Sequence, residues 1–225
     1  MSRPLTDSTH TVHVSGPRPT TRELAGEIRD VVVAAPLFLA APLLRHWHRR
    51  WGATNAEVAA PMPGDDLVPG CQYRCTRAIT IAAPRHEVWP WLVQIGFSRA
   101  GFYANDLLDN AGHPSADNIL AEHQHPEVGD WVPMFRKVND TTAFRIRSIT
   151  PDAELVWIKP DSTWVWTLQD TPNGGTRLVT RLRIFYDWHH PLLASASLVV
   201  NEFGDFPMMR RMLLNLKQRA EGIPR

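Results

Sequence analysis

The 225-residue sequence predicts an α+β domain in which a curved antiparallel sheet is crossed by a long C-terminal helix, and three observations carry that expectation. From Gly129 onward the apolar pattern changes to a period of two, the mark of strands. Thr171-Pro-Asn-Gly-Gly175 separates two such alternating runs and has the composition of a hairpin turn. Residues 192–219 read as one long helix, interrupted near Gly204 and Pro207 and basic at its end through Arg210, Arg211, Lys217 and Arg219. A helix laid over a one-sided sheet closes a pocket.

Residues 1–20 mix Ser, Thr, Pro and His without periodicity and read as a flexible tail. Residues 21–50 form an apolar and basic N-terminal segment, and 51–225 the domain itself. Within that segment, 31–44 is apolar throughout but falls short of the roughly 20 residues that cross a bilayer. Pro36 and Pro42 each remove a helix hydrogen bond. Arg45, Arg49 and Arg50 follow, with Trp47 and Trp51 suited to headgroup depth. Three readings stay open: an arm packed on the domain, a membrane-interfacial helix, or a span.

Thr54 and Glu57 have the spacing of a capping box, which starts a short helix over 55–60. Pro63-Gly-Asp-Asp66 is a turn whose Asp65 and Asp66 read as solvated, and it leads into a first strand over 75–82. Val88, Trp91, Leu92 and Ile95 stand at i, i+3, i+4 and i+7, one stripe of a helix. Pro90 is tolerated there if the regular helix starts near Glu87, and Gly96 ends it. A second short helix begins near Asn105, with Leu107 and Leu108 inward. Strands are expected over 129–134, 143–149, 154–159, 162–169 and 176–186. Trp164, Trp166 and Leu168 share one face, as do Leu178, Leu182 and Ile184. The opposite faces carry Arg177, Arg181 and Arg183 with Thr163, Thr167 and Gln169, and read as a polar exterior.

Composition narrows the function. Twenty-four Lys and Arg against 23 Asp and Glu leave no basic excess for a phosphate backbone, so nucleic acid is not an expected partner. Cys71 and Cys75 cannot build a disulfide framework and read as small residues near a strand start. No nucleophile elbow, phosphate loop or dinucleotide fingerprint appears, so no cofactor is expected. A secretory signal pattern is also missing at the N-terminus, which makes the expected location cytoplasmic, with peripheral membrane contact through residues 31–51.

Several phrases together resemble a known family. Trp51-Gly-Ala-Thr54, the Pro-Gly-Asp-Asp turn, the block from Ala83 to Gly96, Ala100-Gly-Phe-Tyr103 and Val128-Gly-Asp130 are similar to bacterial members of the SRPBCC superfamily. These START-like proteins are often labelled polyketide cyclase or dehydrase. The resemblance covers roughly residues 51–219. It implies a helix-grip fold with an internal apolar cavity for lipids, polyketides or other hydrophobic molecules, and it implies little about reaction. The oxygenase branch needs two His and a carboxylate for iron, and no motif here supplies them.

Candidate site residues follow from placement. Trp164 and Trp166 on the concave face are expected to line a cavity, with Trp91, Phe102, Tyr103 and Trp157. Leu182, Ile184 and Phe203 complete that wall. Tyr103, Asp106 and Tyr186, and with them Arg145 and Glu202, are the groups that could orient or protonate a carbonyl. Arg145 shares a face with Arg147 and reads as exposed. His123 and His125 are expected on one face of a strand, in a polar loop without a third metal ligand, so no metal is assigned. His189 and His190 read as rim residues. The expected function is binding, transport or sensing of a hydrophobic small molecule. A cyclase or dehydratase is the alternative, and a protein-interaction module with a filled pocket the third reading.

Overall fold

The computed structural model describes residues 10–12, 19–40 and 43–223. Most of the stretch expected to be a tail lies outside them, as does Pro42. His10–Thr11 (β1) is ordered into a two-stranded ribbon with Lys137–Val138. Then come α1 (Thr21–Ala40), the single turn α2 (Arg45–His48) and α3 (Asn55–Ala59). The Thr54–Glu57 capping box is present with both of its bonds. Strand β2 (Tyr73–Ile81) leads to α4 (Arg85–Val93) and α5 (Asp106–Asp109). The sheet continues through β3 (Trp131–Pro133), the ribbon strand β4 (Lys137–Val138), β5 (Ala143–Thr150), β6 (Glu154–Lys159), β7 (Ser162–Asp170) and β8 (Thr176–Ile184). The last segment is α6 (Pro191–Val199), a π-helical turn (Val200–Gly204) and α7 (Asp205–Ala220).

Six strands form one antiparallel sheet in the order β2-β8-β7-β6-β5-β3, and α7 packs on its apolar face against β2 and α4. This curved sheet gripping a C-terminal helix is the helix-grip fold expected from the sequence. Leu213 and Leu216 of α7, at helical spacing with Met209 and Met212, are buried in one cluster with Trp164, Trp166, Leu178 and Leu182. The β7–β8 hairpin turns at the expected place, with Gly174 at φ +76° as such a turn requires.

Four expectations are corrected. The sheet is not one-sided: Ala78, Val156, Val165 and Val179 on its other face are covered by Met62, Ala53 and Leu67. Arg181, expected in water, is fully buried there, and Asp65 is its ion partner at 2.6 Å rather than part of a solvated turn. Along α4, which begins at Arg85 and contains Pro90, Trp89 is buried in place of Trp91, and Trp91 lies at the margin. Leu108 faces solvent, whereas Asp106 is buried.

Arg181 explains how a polar-looking strand face becomes interior. Its Nε donates to Thr76 Oγ1, and its terminal nitrogens donate to the carbonyls of Glu57, Val58 and Ala60 and to Asp65. One guanidinium thus ends α3 and fixes the following turn. The Trp51-Gly52 step is seated as tightly. Ala78 N–H donates to Trp51 O and Thr76 N–H to Arg49 O, so this segment covers the free edge of β2. Gly52 has φ +73°, and a Cβ there would lie 2.0 Å from Ala78 O.

Arg181→Ala removes the donor to Thr76, Glu57 and Ala60, while Asp65 keeps Arg183 and Met62 N–H and Val58 O keeps Arg74, and it is expected to lower stability by about 2–3 kcal/mol in urea unfolding. Arg181→Lys should recover little of it, because one ammonium cannot reach all five acceptors. A loss below about 1 kcal/mol would mean that the apolar cluster alone holds the 53–68 segment.

Candidate functional site

Strands β6 and β7 turn three indoles onto the gripped face. Trp157, Trp164 and Trp166 are buried, with ring centroids 5.0 to 5.7 Å apart, and Phe144 adds an edge contact to Trp164 at 5.9 Å. Trp164 Nε1 donates to Thr180 Oγ1 at 3.0 Å. The indole N–H groups of Trp157 and Trp166 are buried with no acceptor among the described residues. An unpaired buried donor costs about 1–3 kcal/mol. The face therefore combines aromatic area with two donors that protein atoms leave unused.

The proposed acid and base groups other than Tyr186 are, by contrast, engaged. Tyr103 OH accepts from Gln94 Nε2 at 2.8 Å and donates to Trp91 O at 3.1 Å, while Arg219 stacks 4.6 Å from its ring. Burial pushes its phenol upward. Asp106 accepts from Ser115 Oγ and packs in the first turn of α5. Tyr186 is buried beside Glu202 and Asn201, its hydroxyl has no hydrogen bond among the described residues, and burial holds its phenol up at about 12. Glu202 takes Arg45 at 2.9 Å and Arg49 at 2.8 Å. Arg145 is not exposed as expected: it lies 3.5 Å over the Trp131 ring, because a bulge between Ile146 and Ser148 separates its environment from that of Arg147. Phe102, Leu182 and Ile184 are in the core, and Phe203 is exposed on the π turn.

Two clefts open on the surface. One, of about 480 Å³, lies at the C-terminal end of α7, between Ala82, Pro90, Trp91 and Ile119, with His86, Glu87 and Arg219 at its rim. Trp91 packs against the core on its other side, and α4, which carries it, contacts β7. Trp91 thus lines this cleft and packs on the cluster that contains the aromatic face, edge-on to Tyr103 at 6.2 Å. The second cleft, of about 300 Å³, collects Arg99, Glu122, His123, His125 and Asp130. His123 lies in a 3-10 turn rather than the expected strand. No group of three metal-ligating side chains occurs among the described residues. His190 Nδ1 lies 2.8 Å from Asp187, at the rim.

Two clusters escaped the sequence reading because their members are far apart in the chain. At the start of α7, Asp205 Oδ2 accepts from Tyr73 OH at 2.6 Å and pairs with Arg77 at 2.6 Å. Arg77 Nε donates to His48 O at 2.9 Å. His48 is fully buried, stacked 5.2 Å from Phe206, with neither ring nitrogen bonded among the described residues. Burial and the Arg77 charge lower its pKa. Cys75 in the same layer is a free thiol pushed up to about 11 by burial, which makes it a poor nucleophile. The other cluster joins Glu27 of α1 to Asp106 and Asp109 of α5, with Arg211 of α7 as the cation. Burial, then Asp106 and Glu27, push Asp109 up to about 8.

The chain matches no family model and no curated protein. Similar solved structures include a protein of Mesorhizobium loti, 14% identical, covering 68% of this chain and 100% of its own, with a TM-score of 0.40. A Rhodobacter sphaeroides protein is 16% identical, covering 69% and 97%, with a TM-score of 0.40. A Corynebacterium glutamicum protein described as polyketide-cyclase-like is 15% identical, covering 64% and 88%, with a TM-score of 0.37.

The two titrating groups give opposite pH slopes. His48, depressed in the fold, contributes stability that is present above about pH 6.5 and lost as the pH falls. His48→Phe should flatten the acid side of a stability-against-pH curve, and an unchanged curve would remove His48 from it. Asp109, raised in the fold, contributes stability that is full below about pH 4 and lost as the pH rises to about 8. Asp109→Asn should therefore gain on the parent protein by a few kcal/mol, in order of magnitude, at pH 8, and gain nothing at pH 4.

Proposed function

We propose that this protein binds a hydrophobic small molecule bearing an oxygen acceptor, lipid-like or polyketide-like, on the aromatic face of its grip, and carries or senses it without transforming it. The observation that supports this most is the pair of unpaired indole donors, Trp157 Nε1 and Trp166 Nε1, in an otherwise apolar wall. Three ring faces supply area, and the two donors favour a carbonyl or hydroxyl oxygen over plain hydrocarbon. Entry is by displacement of Trp91 from the cleft at the end of α7. The engaged state of Tyr103 and Asp106 favours carrier over cyclase: a phenol already bonded to Gln94 and a main-chain carbonyl has no free proton to give, and the unbonded Tyr186 phenol is held protonated by burial.

Native mass spectrometry of gently purified protein, followed by extraction, is expected to show a one-to-one adduct containing a carbonyl or hydroxyl group. Trp166→Phe keeps most of the ring area and removes one donor, so it should weaken that ligand about tenfold, the equivalent of one hydrogen bond of about 1.4 kcal/mol. Trp91→Ala should speed exchange of the ligand more than it changes affinity. Protein that is empty and also ignores a panel of fatty acids, phospholipids and aromatic polyketides would sink the proposal. Turnover of any of these that is lost in Tyr103→Phe would move the assignment to the cyclase.

A further inference from the structure

A second surface of the protein lies away from that cleft. The apolar half of α1, from Val31 to Ala40, carries no charge, and neither does the stretch from Pro191 to Val200 that forms α6 and enters the π turn. The π turn contacts both helices and so joins them. On this surface Val33 is 73% exposed, Leu39 72%, Leu43 88%, Leu192 86% and Val200 64%. Aliphatic side chains so exposed on adjoining elements are not the norm for a soluble surface, and mark a site of contact. Trp188 stands half-exposed just before α6, and Trp47 half-exposed on α2, edge-on to Phe206 where α7 begins.

Charge identifies what covers this surface. From Leu43 to Arg50 the chain holds three arginines, two histidines and no acid. The carboxylate that α2 meets is Glu202, buried under Arg45 and Arg49, so the basic excess remains. Apolar helix faces without charge, bordered by tryptophan and arginine, suit the boundary between acyl chains and anionic headgroups. A protein partner would be expected to meet polar groups that fix its register, and within the two apolar stretches Ser195 is the exposed polar side chain. The dimensions suit lying on a membrane and not crossing it. No described helix is long and apolar enough to span, and the ten apolar residues of α1 rise only about 15 Å. The first half of α1 is held down by Glu27 and Asp30 on Arg211, at 3.7 and 2.8 Å.

We infer that α1, α6 and the π turn between them form one peripheral docking surface for an anionic bilayer. The test is flotation of the full chain with phosphatidylcholine vesicles, with and without phosphatidylglycerol. Wild-type protein should float with the anionic vesicles, and raised salt should release it at least severalfold. V33E/L39E in α1 and, separately, L192E/V200E in α6 and the π turn should each cut the bound fraction tenfold or more. Their thermal melting should stay that of the parent, since all four side chains are exposed. Should either variant fail to fold, the salt and lipid dependence of the wild type still decides. No flotation with anionic vesicles, or flotation indifferent to salt and phosphatidylglycerol, overturns the inference. So does wild-type binding by L192E/V200E, which would leave α1 as a lone arm. A dimer in light scattering that L192E/V200E dissolves, without vesicle binding, would assign the face to a second copy instead.

Discussion

The position of the gripping helix depends on one buried carboxylate. Asp205 opens α7 and receives Arg77 and Tyr73 from β2 at the same oxygen, 2.6 Å from each. Arg77 is wholly out of water in the concave side of an edge strand, where an unpaired cation would be far too costly to keep. Its presence there requires Asp205 at that height, and so sets where α7 begins and which of its residues face the tryptophans. The same arginine reaches His48 O, so the N-terminal segment is fixed by the clamp that fixes the C-terminal one. Phe206, next to Asp205, is then the ring against which Trp47, His48 and Trp51 pack.

Much of this architecture was legible in the sequence because periodicity reports local geometry directly. β6 runs from Glu154 to Lys159 as read, and the long strands around the hairpin differ from expectation by one or two residues at their ends. What a period of two cannot report is what covers the outer face. Arg177, Arg181 and Arg183 alternate as a solvated strand would, yet Arg181 caps α3 and Arg177 holds the Glu57 carboxylate down at about 2. Guanidinium groups satisfy several carbonyls at once, so an arginine-rich face can be interior when a loop supplies acceptors. The break expected near Gly204 and Pro207 was also a local inference. A proline at 207 removes the bond to Phe203 and crowds its carbonyl, and the π turn ending at Gly204 takes up that strain without ending the helix.

The candidate site was less legible, for a related reason. Tryptophans on one strand face announce an aromatic wall, but whether a polar group is free depends on partners distant in sequence. Tyr103 looked available until Gln94 and Trp91 O are placed beside its hydroxyl, and Asp106 until Ser115 is placed on its carboxylate. The groups left over include two indole N–H donors and the Tyr186 hydroxyl, which can recognise an oxygen but do not readily give up a proton at neutral pH. A wall with that inventory offers shape and a few hydrogen bonds, which supports the proposed retention over turnover.

The two surfaces also lie at opposite ends of the helix that organises the fold. The cleft beside Trp91 includes Arg219 and Ala220, at the last turn of α7, whereas the apolar surface gathers around the π turn that precedes its first. Sixteen residues of α7 separate them, a rise of about 24 Å. On the proposed docking by α1 and α6, the bilayer therefore meets the end of α7 away from the cleft. On the two proposals together, a ligand entering beside Trp91 would arrive from the side away from the docking face, and an oxygen acceptor paired with two indole donors fits a molecule of some polarity better than a bare hydrocarbon chain.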